Sequence, residues 1–113
     1  MLNVLNFEEI QMKPLFCGLI TQTIIPFNDI TMNISEGDVF GISFNNVFFK
    51  NYSLIITNIS FTNMKKITNE DICKNGFLYK EGFLNFIKTK KNIGFDDTIV
   101  KLDFELVKKE ANE

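Results

Sequence analysis

Alternating apolar and polar residues dominate the hydrophobic pattern of this chain and predict a protein rich in β-strands. The cleanest alternation runs over 98–107, where Ile99, Leu102 and Phe104 are set against polar neighbours. Further strands are predicted over 2–7, 21–25, 39–44, 47–50 and 53–64. A change of alternation near Asn58 predicts a bulge in the last of these segments.

Helical spacing of the apolar residues occurs in three other parts of the chain. The segment 8–18 begins with two Glu and ends in Gly, which is typical of a short helix. Because Pro14 lacks a backbone N–H, we expect this helix to be kinked or to begin late. Thr68 can cap a second short helix, and a longer amphipathic helix is predicted over 78–91. The apolar face of that longer helix consists of Tyr79, Phe83, Phe86 and Ile87.

The number and order of these elements favour a single α+β domain. We expect a small β-barrel of five or six mixed strands flanked by two or three helices, over residues 1–109, followed by a charged tail over 110–113. The length of 113 residues is that of one domain. We recognise neither a signal peptide nor an apolar run long enough to span a membrane, so we expect a cytoplasmic protein without a membrane partner.

Histidine and arginine are absent from the chain, and their absence narrows the chemistry that it can perform. Without His, neither a Ser–His–Asp triad nor a Cys–His pair can form within one chain. With only Cys17 and Cys73, a structural zinc site is close to excluded. We therefore expect no metal or other cofactor, and we expect both cysteines to be buried, unreactive thiols.

The charged and aromatic residues are compatible with a local site for nucleic acid. The net charge of −2 argues against strong non-specific binding of nucleic acid, but not against a local basic patch. Several lysines are either solvated surface residues or phosphate contacts: Lys65, Lys66, Lys88, Lys90 and Lys91. Some phenylalanines near predicted loops are candidates for exposed rings that stack on bases: Phe27, Phe48 and Phe49.

Several short motifs follow one another along the chain in a distinctive order. A helix ending in Gly precedes a T-Q-T-I strand, a G-D turn, an I-T-N-E-D helix start, a G-F step and a final D-F-E strand. This order resembles the ASCH family, whose fold is similar to that of PUA domains, and the similarity extends over 2–107. The resemblance implies a PUA-like β-barrel flanked by helices.

The motif after the first helix departs from the family pattern. In the family it is commonly Gly-x-Lys-Thr-x-Thr-x-Arg, whereas this chain reads Gly-Leu-Ile-Thr-Gln-Thr-Ile-Ile over 18–25. Ile20 therefore stands at the Lys position, Ile25 at the Arg position, and Asn75 where many members have Glu. The resemblance implies that some members are amidohydrolases that deacetylate 4-acetylcytidine with the Lys, Thr and Glu, and that others are proposed RNA-binding modules.

The loss of all three charged residues predicts a neutral groove, in a domain that kept the fold and lost the hydrolase chemistry. The groove residues are Ile20, Thr21, Gln22, Thr23, Ile25 and Asn75. We expect a non-enzymatic module that binds RNA or a nucleoside-like ligand in this groove. The alternatives are an amidohydrolase that uses Thr23, and a protein-interaction module of a phage or mobile element. The same residues can also be ordinary strand and core positions.

Overall fold

Five strands and three α-helices make up the described part of the chain, residues 3–28 and 31–108 of a computed structural model. The strands are β1 Val4–Phe7, β2 Gln22–Pro26, β3 Val39–Phe44, β4 Val47–Asn63 and β5 Thr98–Lys108. The helices are α1 Met12–Phe16, α2 Asn69–Lys74 and α3 Lys80–Lys90, with short 3-10 turns at Glu9–Gln11, Thr31–Asn33 and Met64–Lys66. The predicted charged tail over 110–113 lies outside the described residues.

The strands form one mixed sheet in the order β1-β3-β4-β5-β2. β1 pairs with β3 in parallel, and all other neighbours are antiparallel. The sheet curls into a half-barrel, which confirms the predicted α+β class with a small barrel-like sheet. β2, the strand that carries three of the six predicted groove residues, is therefore an edge strand.

β4 is one long strand, and the prediction of two separate strands over 47–50 and 53–64 is wrong. Its pairing with β3 shifts between Ile42, opposite Phe49, and Gly41, opposite Ser53, so the polar residues between them have no partner in β3. The strand nevertheless continues because its other edge pairs with β5. The predicted bulge near Asn58 is confirmed, since the register with β5 shifts there.

The first helix begins late, as the sequence predicts. A 3-10 turn precedes α1, and Pro14 lies in its first turn, where a backbone N–H has no helical acceptor. The Glu8 backbone N–H donates to Gln11 Oε1 at 2.8 Å, which helps to start the preceding turn. The awkward proline therefore costs the helix no backbone hydrogen bond.

Two apolar cores lie on opposite faces of the sheet, because successive side chains of β2 and β5 point to opposite faces. The first core fills the half-barrel and consists of Leu5, Phe7, Leu15, Ile20, Phe40, Ile42, Phe44, Leu54, Ile56, Val100, Leu102 and Phe104. The second core lies beneath α2 and α3 and consists of Ile24, Met64, Ile72, Phe83, Ile87, Ile93 and Ile99. No helix in the described ranges is long and apolar enough to cross a membrane.

Some side chains near the helix ends point elsewhere than predicted. Cys17 and Cys73 are exposed free thiols, because Leu15 and Ile72 supply the buried positions of their short helices. Tyr79 is 76% exposed, because it precedes the first turn of α3 and does not share the buried face of that helix. The predicted burial of all three side chains is therefore wrong.

Candidate functional site

Two of the predicted groove residues, Gln22 and Asn75, meet in a buried hydrogen-bonded network between β2 and α2. Asn75 Nδ2 donates to Gln22 Oε1 at 2.9 Å. Gln22 Nε2 donates to Asp103 Oδ1 at 2.8 Å and to Asp71 Oδ1 at 3.2 Å. With Lys101, these residues form what we call the β2–α2 network. Gln22, Asp71 and Asn75 are each buried.

An ion pair lies at the centre of the β2–α2 network. Lys101 Nζ is 3.2 Å from both carboxylate oxygens of Asp71. Burial alone raises the pKa of Asp71, because it disfavours the charged form. Hydrogen bonds from Thr68, the Gln22 amide and Lys101 outweigh burial and hold the pKa below its ordinary value. α2 and β5 thus bring an ion pair next to Gln22 and Asn75 that the family motif does not contain, whereas the neutral ligand groove stays a prediction.

The other predicted groove residues do not join the network. Ile20 is packed in the core, and Thr21 is exposed, with its backbone N–H donating to the Lys74 carbonyl at 2.8 Å. Ile20 and Thr21 line a cavity of 440 Å³ between the end of α1 and β5, whereas Ile25 lines a different cavity of 490 Å³. A single ligand groove built from all of these residues stays a prediction.

Thr23 contacts a lysine that the sequence did not assign to it. Lys91 Nζ, at the end of α3, donates to Thr23 Oγ1 at 2.9 Å and to the Ile24 carbonyl of the edge strand at 2.6 Å. Burial lowers the pKa of Lys91 to about 8. The sequence places Lys91 in a charged run, which is typical of a solvated face, and so gave no signal of this inward contact.

The candidate phosphate contacts point in several directions. Lys90 forms an ion pair with Glu8, at 3.4 Å, and Lys91 turns inward. Lys66 is exposed next to Lys65. Lys88 of α3 lines one pocket, and Lys65, in the 3-10 turn after β4, lies over the ring of Phe95, another residue of its lining. Contact with phosphate stays a prediction for all of them.

That pocket, which we call the Phe95 pocket, has a volume of 280 Å³. It is lined by Met64, Leu84, Ile87, Lys88, Ile93, Gly94 and Phe95. The ring of Phe95 is 56% exposed at its rim. Lys65 Nζ lies over this ring, 5.9 Å from its centroid, and 2.6 Å from Asp96 Oδ1. The pocket thus combines an apolar lining, an exposed aromatic ring and one lysine, Lys88, with a second lysine, Lys65, over the ring.

The turn that presents Phe95 is held at both ends. Ile93 is buried in the second core, and its backbone N–H donates to the Ile87 carbonyl at 3.3 Å. Asp97 Oδ2 accepts from the Gly94 N–H at 2.6 Å, and the Asp97 carbonyl accepts from the backbone N–H of Met64 at 3.3 Å. Together with the burial of Ile93, these bonds fix the turn that holds the Phe95 ring in its exposed position.

Sequence reasoning missed Phe95 as an exposed ring. It named Phe27 and Phe48, each 44% exposed as expected, and Phe49, which is half-buried. The available signal was the position of Phe95 between Gly94 and two consecutive Asp, a turn in which a core residue is out of place.

The described ranges contain no group of three His, Cys, Asp or Glu side chains that could hold a metal ion. They also contain no buried side-chain nitrogen or oxygen atom without a hydrogen-bond partner. The β2–α2 network therefore has no buried, unpaired polar atom aimed at a ligand, whereas the ring of Phe95 is exposed to solvent.

Solved structures with this fold come from several sources. Protein EF3133 from Enterococcus faecalis, of the family DUF984, has a TM-score of 0.66 and 18% identity and covers 96% of this chain and 77% of its own. Hypothetical protein PH0355 has a TM-score of 0.66 and 15% identity, and the match covers 95% of this chain and 100% of that protein. ASCH from Zymomonas mobilis has a TM-score of 0.58 and 10% identity, and the match covers 90% of this chain and 65% of that protein. No protein-family model and no curated protein matches the sequence. Likeness at these identities shows the fold alone.

Proposed function

We propose that this chain, which has an ASCH-like fold, is a non-enzymatic module that binds single-stranded RNA at the Phe95 pocket. The observation that carries the proposal is the exposed ring of Phe95, held by a fixed turn with Lys65 and Lys88 beside it. An exposed ring and nearby cations are the two parts of sites that bind single strands.

The ring and the lysines have separate roles in this proposal. A base stacks on Phe95, and stacking of this kind contributes about 1–3 kcal/mol per base. Lys65 and Lys88 contact the flanking phosphates as point charges, since the chain has no Arg to form a planar fork. Because the whole chain carries a net charge of −2, binding depends on these few local cations and not on a broad basic surface.

Phe95→Ala is expected to weaken binding of a short oligouridylate by about tenfold, because it removes the stacking platform. Lys88→Gln is expected to weaken binding less and to flatten the dependence of log affinity on log salt by about 0.7, the share of one phosphate contact on a single strand. Fluorescence anisotropy of the labelled oligouridylate over a salt series measures both quantities.

Two matched variants control for general effects on binding. Phe48→Ala removes a ring of similar exposure outside the pocket, and Lys50→Gln removes an exposed charge on β4. Both are expected to bind as the unmodified protein does. If Phe48→Ala weakens binding and Phe95→Ala does not, the Phe95 pocket is the wrong place for the ligand.

A second candidate function, deacetylation of 4-acetylcytidine, is supported by the contact between Lys91 and Thr23. An amine with a pKa of about 8 is partly neutral near pH 7, and a neutral amine 2.9 Å from a hydroxyl can take up its proton. However, neither residue lines any of the cavities that hold Ile20, Ile25 or Phe95. Binding is the leading proposal because its site is open.

If the second candidate is right, the purified protein releases acetate from 4-acetylcytidine, and Lys91→Met lowers the rate by about a hundredfold. Thr23→Val should abolish the reaction, because it removes the nucleophile. Thr57→Val, at the exposed bulge of β4, is the matched control. Turnover that survives Thr23→Val comes from a contaminant, and no turnover at all excludes this candidate.

A protein partner and a cytoplasmic location stay predictions.

A further inference from the structure

We infer that the ion pair between Lys65 and Asp96 is an exchangeable cover on the Phe95 ring, so that the pocket accepts a base carrying a phosphate and discriminates against a free nucleoside. This inference rests on the proposed function, since it names the class of ligand that the Phe95 pocket takes. It decides between the two ligand classes, RNA and nucleoside, that the sequence leaves open.

One ammonium group makes both contacts of the cover. Lys65 Nζ lies 2.6 Å from Asp96 Oδ1 and 5.9 Å from the centroid of the Phe95 ring. Offset-stacked rings have centroids about 4.5–7 Å apart, so a base on this face of Phe95 would occupy the position of the ammonium. Lys65 must therefore move before a base can stack there.

A phosphate gives the displaced Lys65 ammonium the same kind of partner as the one that it leaves, an anionic oxygen. Asp96 presents an anionic oxygen to Lys65, and a phosphate group does the same from the ligand. The side chains of Lys65 and Asp96 are 56% and 78% exposed, and exposed ion pairs of this kind contribute little to stability. Exchange of one anion for the other is consequently easy.

A free nucleoside has no anion to offer. It would displace Lys65 from both the carboxylate and the ring, and it would offer the ammonium no anion in return. The turn that carries Asp96 is fixed by the bonds of Gly94 and Asp97, so the flexible Lys65 side chain is the part that moves. A base that carries a phosphate therefore opens the cover more readily than a base alone.

The neighbouring lysines do not share this property. Within the described ranges, no ion pair involves Lys66 or Lys88, so both can meet a phosphate without giving up a carboxylate. Only Lys65 couples the arrival of a phosphate to the uncovering of the ring. Asp96 thus competes with the phosphate for Lys65, although it contacts no ligand itself.

The experiment compares uridine with uridine monophosphate as competitors of the labelled oligouridylate, in the unmodified protein and in variants of the cover. The monophosphate is expected to bind about tenfold more tightly than uridine to the unmodified protein. Lys65→Gln is expected to bring the two affinities within about threefold, because a neutral side chain no longer ties the ring to the phosphate.

The role of Asp96 has its own readout. Asp96→Asn is expected to raise the affinity for the monophosphate by about threefold to fivefold and to steepen the salt dependence of oligouridylate binding by about 0.7, because Lys65 no longer has a competing anion. In the Lys65→Gln background, Asp96→Asn should change neither quantity. Glu105→Gln makes the same change of charge on β5, in the lining of a different cavity, and should leave binding unaltered.

The possible failures are distinguishable. If Phe95→Ala weakens the binding of both competitors but uridine and its monophosphate bind equally, the proposed function stands and this inference is overturned. The inference is also overturned if Asp96→Asn raises affinity as much without Lys65 as with it. If no variant binds any of the three probes, the proposed function is wrong and the inference falls with it.

Discussion

Lys101→Met is expected to lower the free energy of unfolding by about 3 kcal/mol, because it leaves the buried carboxylate of Asp71 without its cation. The side chain of Asp71 is 7% exposed, and that of Lys101 is 21% exposed. Thr68 and Gln22 still donate hydrogen bonds to the carboxylate in the variant, but neither carries a compensating charge. Urea denaturation at neutral pH measures this loss.

The same variant should also change how stability depends on pH. The pKa of Asp71 in the folded protein lies below its ordinary value of 3.8. Its contribution to stability is therefore complete above 3.8 and is lost as the pH falls through the lower, folded-state pKa. Lys101→Met removes one of the interactions that lower this pKa, so Asp71 should contribute less stability for acid to remove, and the stability difference between the variant and the unmodified protein should shrink as the pH falls below 3.8.

Lys74→Met is the matched control for this prediction. The ammonium of Lys74 lies 3.9 Å from Asp103 and 3.5 Å from Glu70, and its side chain is 36% exposed. Exposed pairs of this kind contribute about 0–1 kcal/mol, so this variant should be nearly as stable as the unmodified protein. If the two Lys→Met variants lose equal stability, the ion pair with Asp71 does not carry the energy assigned to it.

The strands and helix starts could be predicted from sequence because their signals are local. The alternation over 98–107 and the cap at Thr68 depend only on neighbouring residues, and both are present in the fold. The continuity of β4 is not a local property. The polar residues 50–52 interrupt the alternation, and only the pairing of Tyr52 with Lys108 of β5 shows that the strand continues.

The charges around the predicted groove could not be read from the motif, because they come from distant parts of the chain. Asp71 has the sequence signature of a helix cap, and it does cap α2 with Thr68. Only the pairing of β2 with β5 shows that Lys101 and Asp103 lie on the same face as Gln22. A charged residue in an otherwise apolar alternation, as at Lys101, was the one available signal.

Gly76→Ala is expected to lower the free energy of unfolding by about 3 kcal/mol, from two separate causes. Gly76 has a φ of +89°, a conformation that costs Ala about 1–2 kcal/mol. In addition, a Cβ at this position would lie 2.8 Å from Ile20 Cγ1 and 3.3 Å from Ile20 Cδ1. Overpacking in a core costs about 1–3 kcal/mol, because the neighbour must leave its preferred position.

Gly37→Ala separates the two causes, since Gly37 has a φ of +90° and no atom within 4 Å of the added Cβ. Gly37→Ala should lower the free energy of unfolding only by the cost of the backbone conformation. The difference between the two variants therefore measures how tightly Ile20 is held. The resemblance described above implies that Ile20 stands where members of that family commonly carry a Lys. If this region is packed core, Gly76→Ala costs about 1–2 kcal/mol more than Gly37→Ala in urea denaturation. If Ile20 instead borders an open groove and can move aside, the two variants lose the same stability, and the ligand groove around Ile20 regains support.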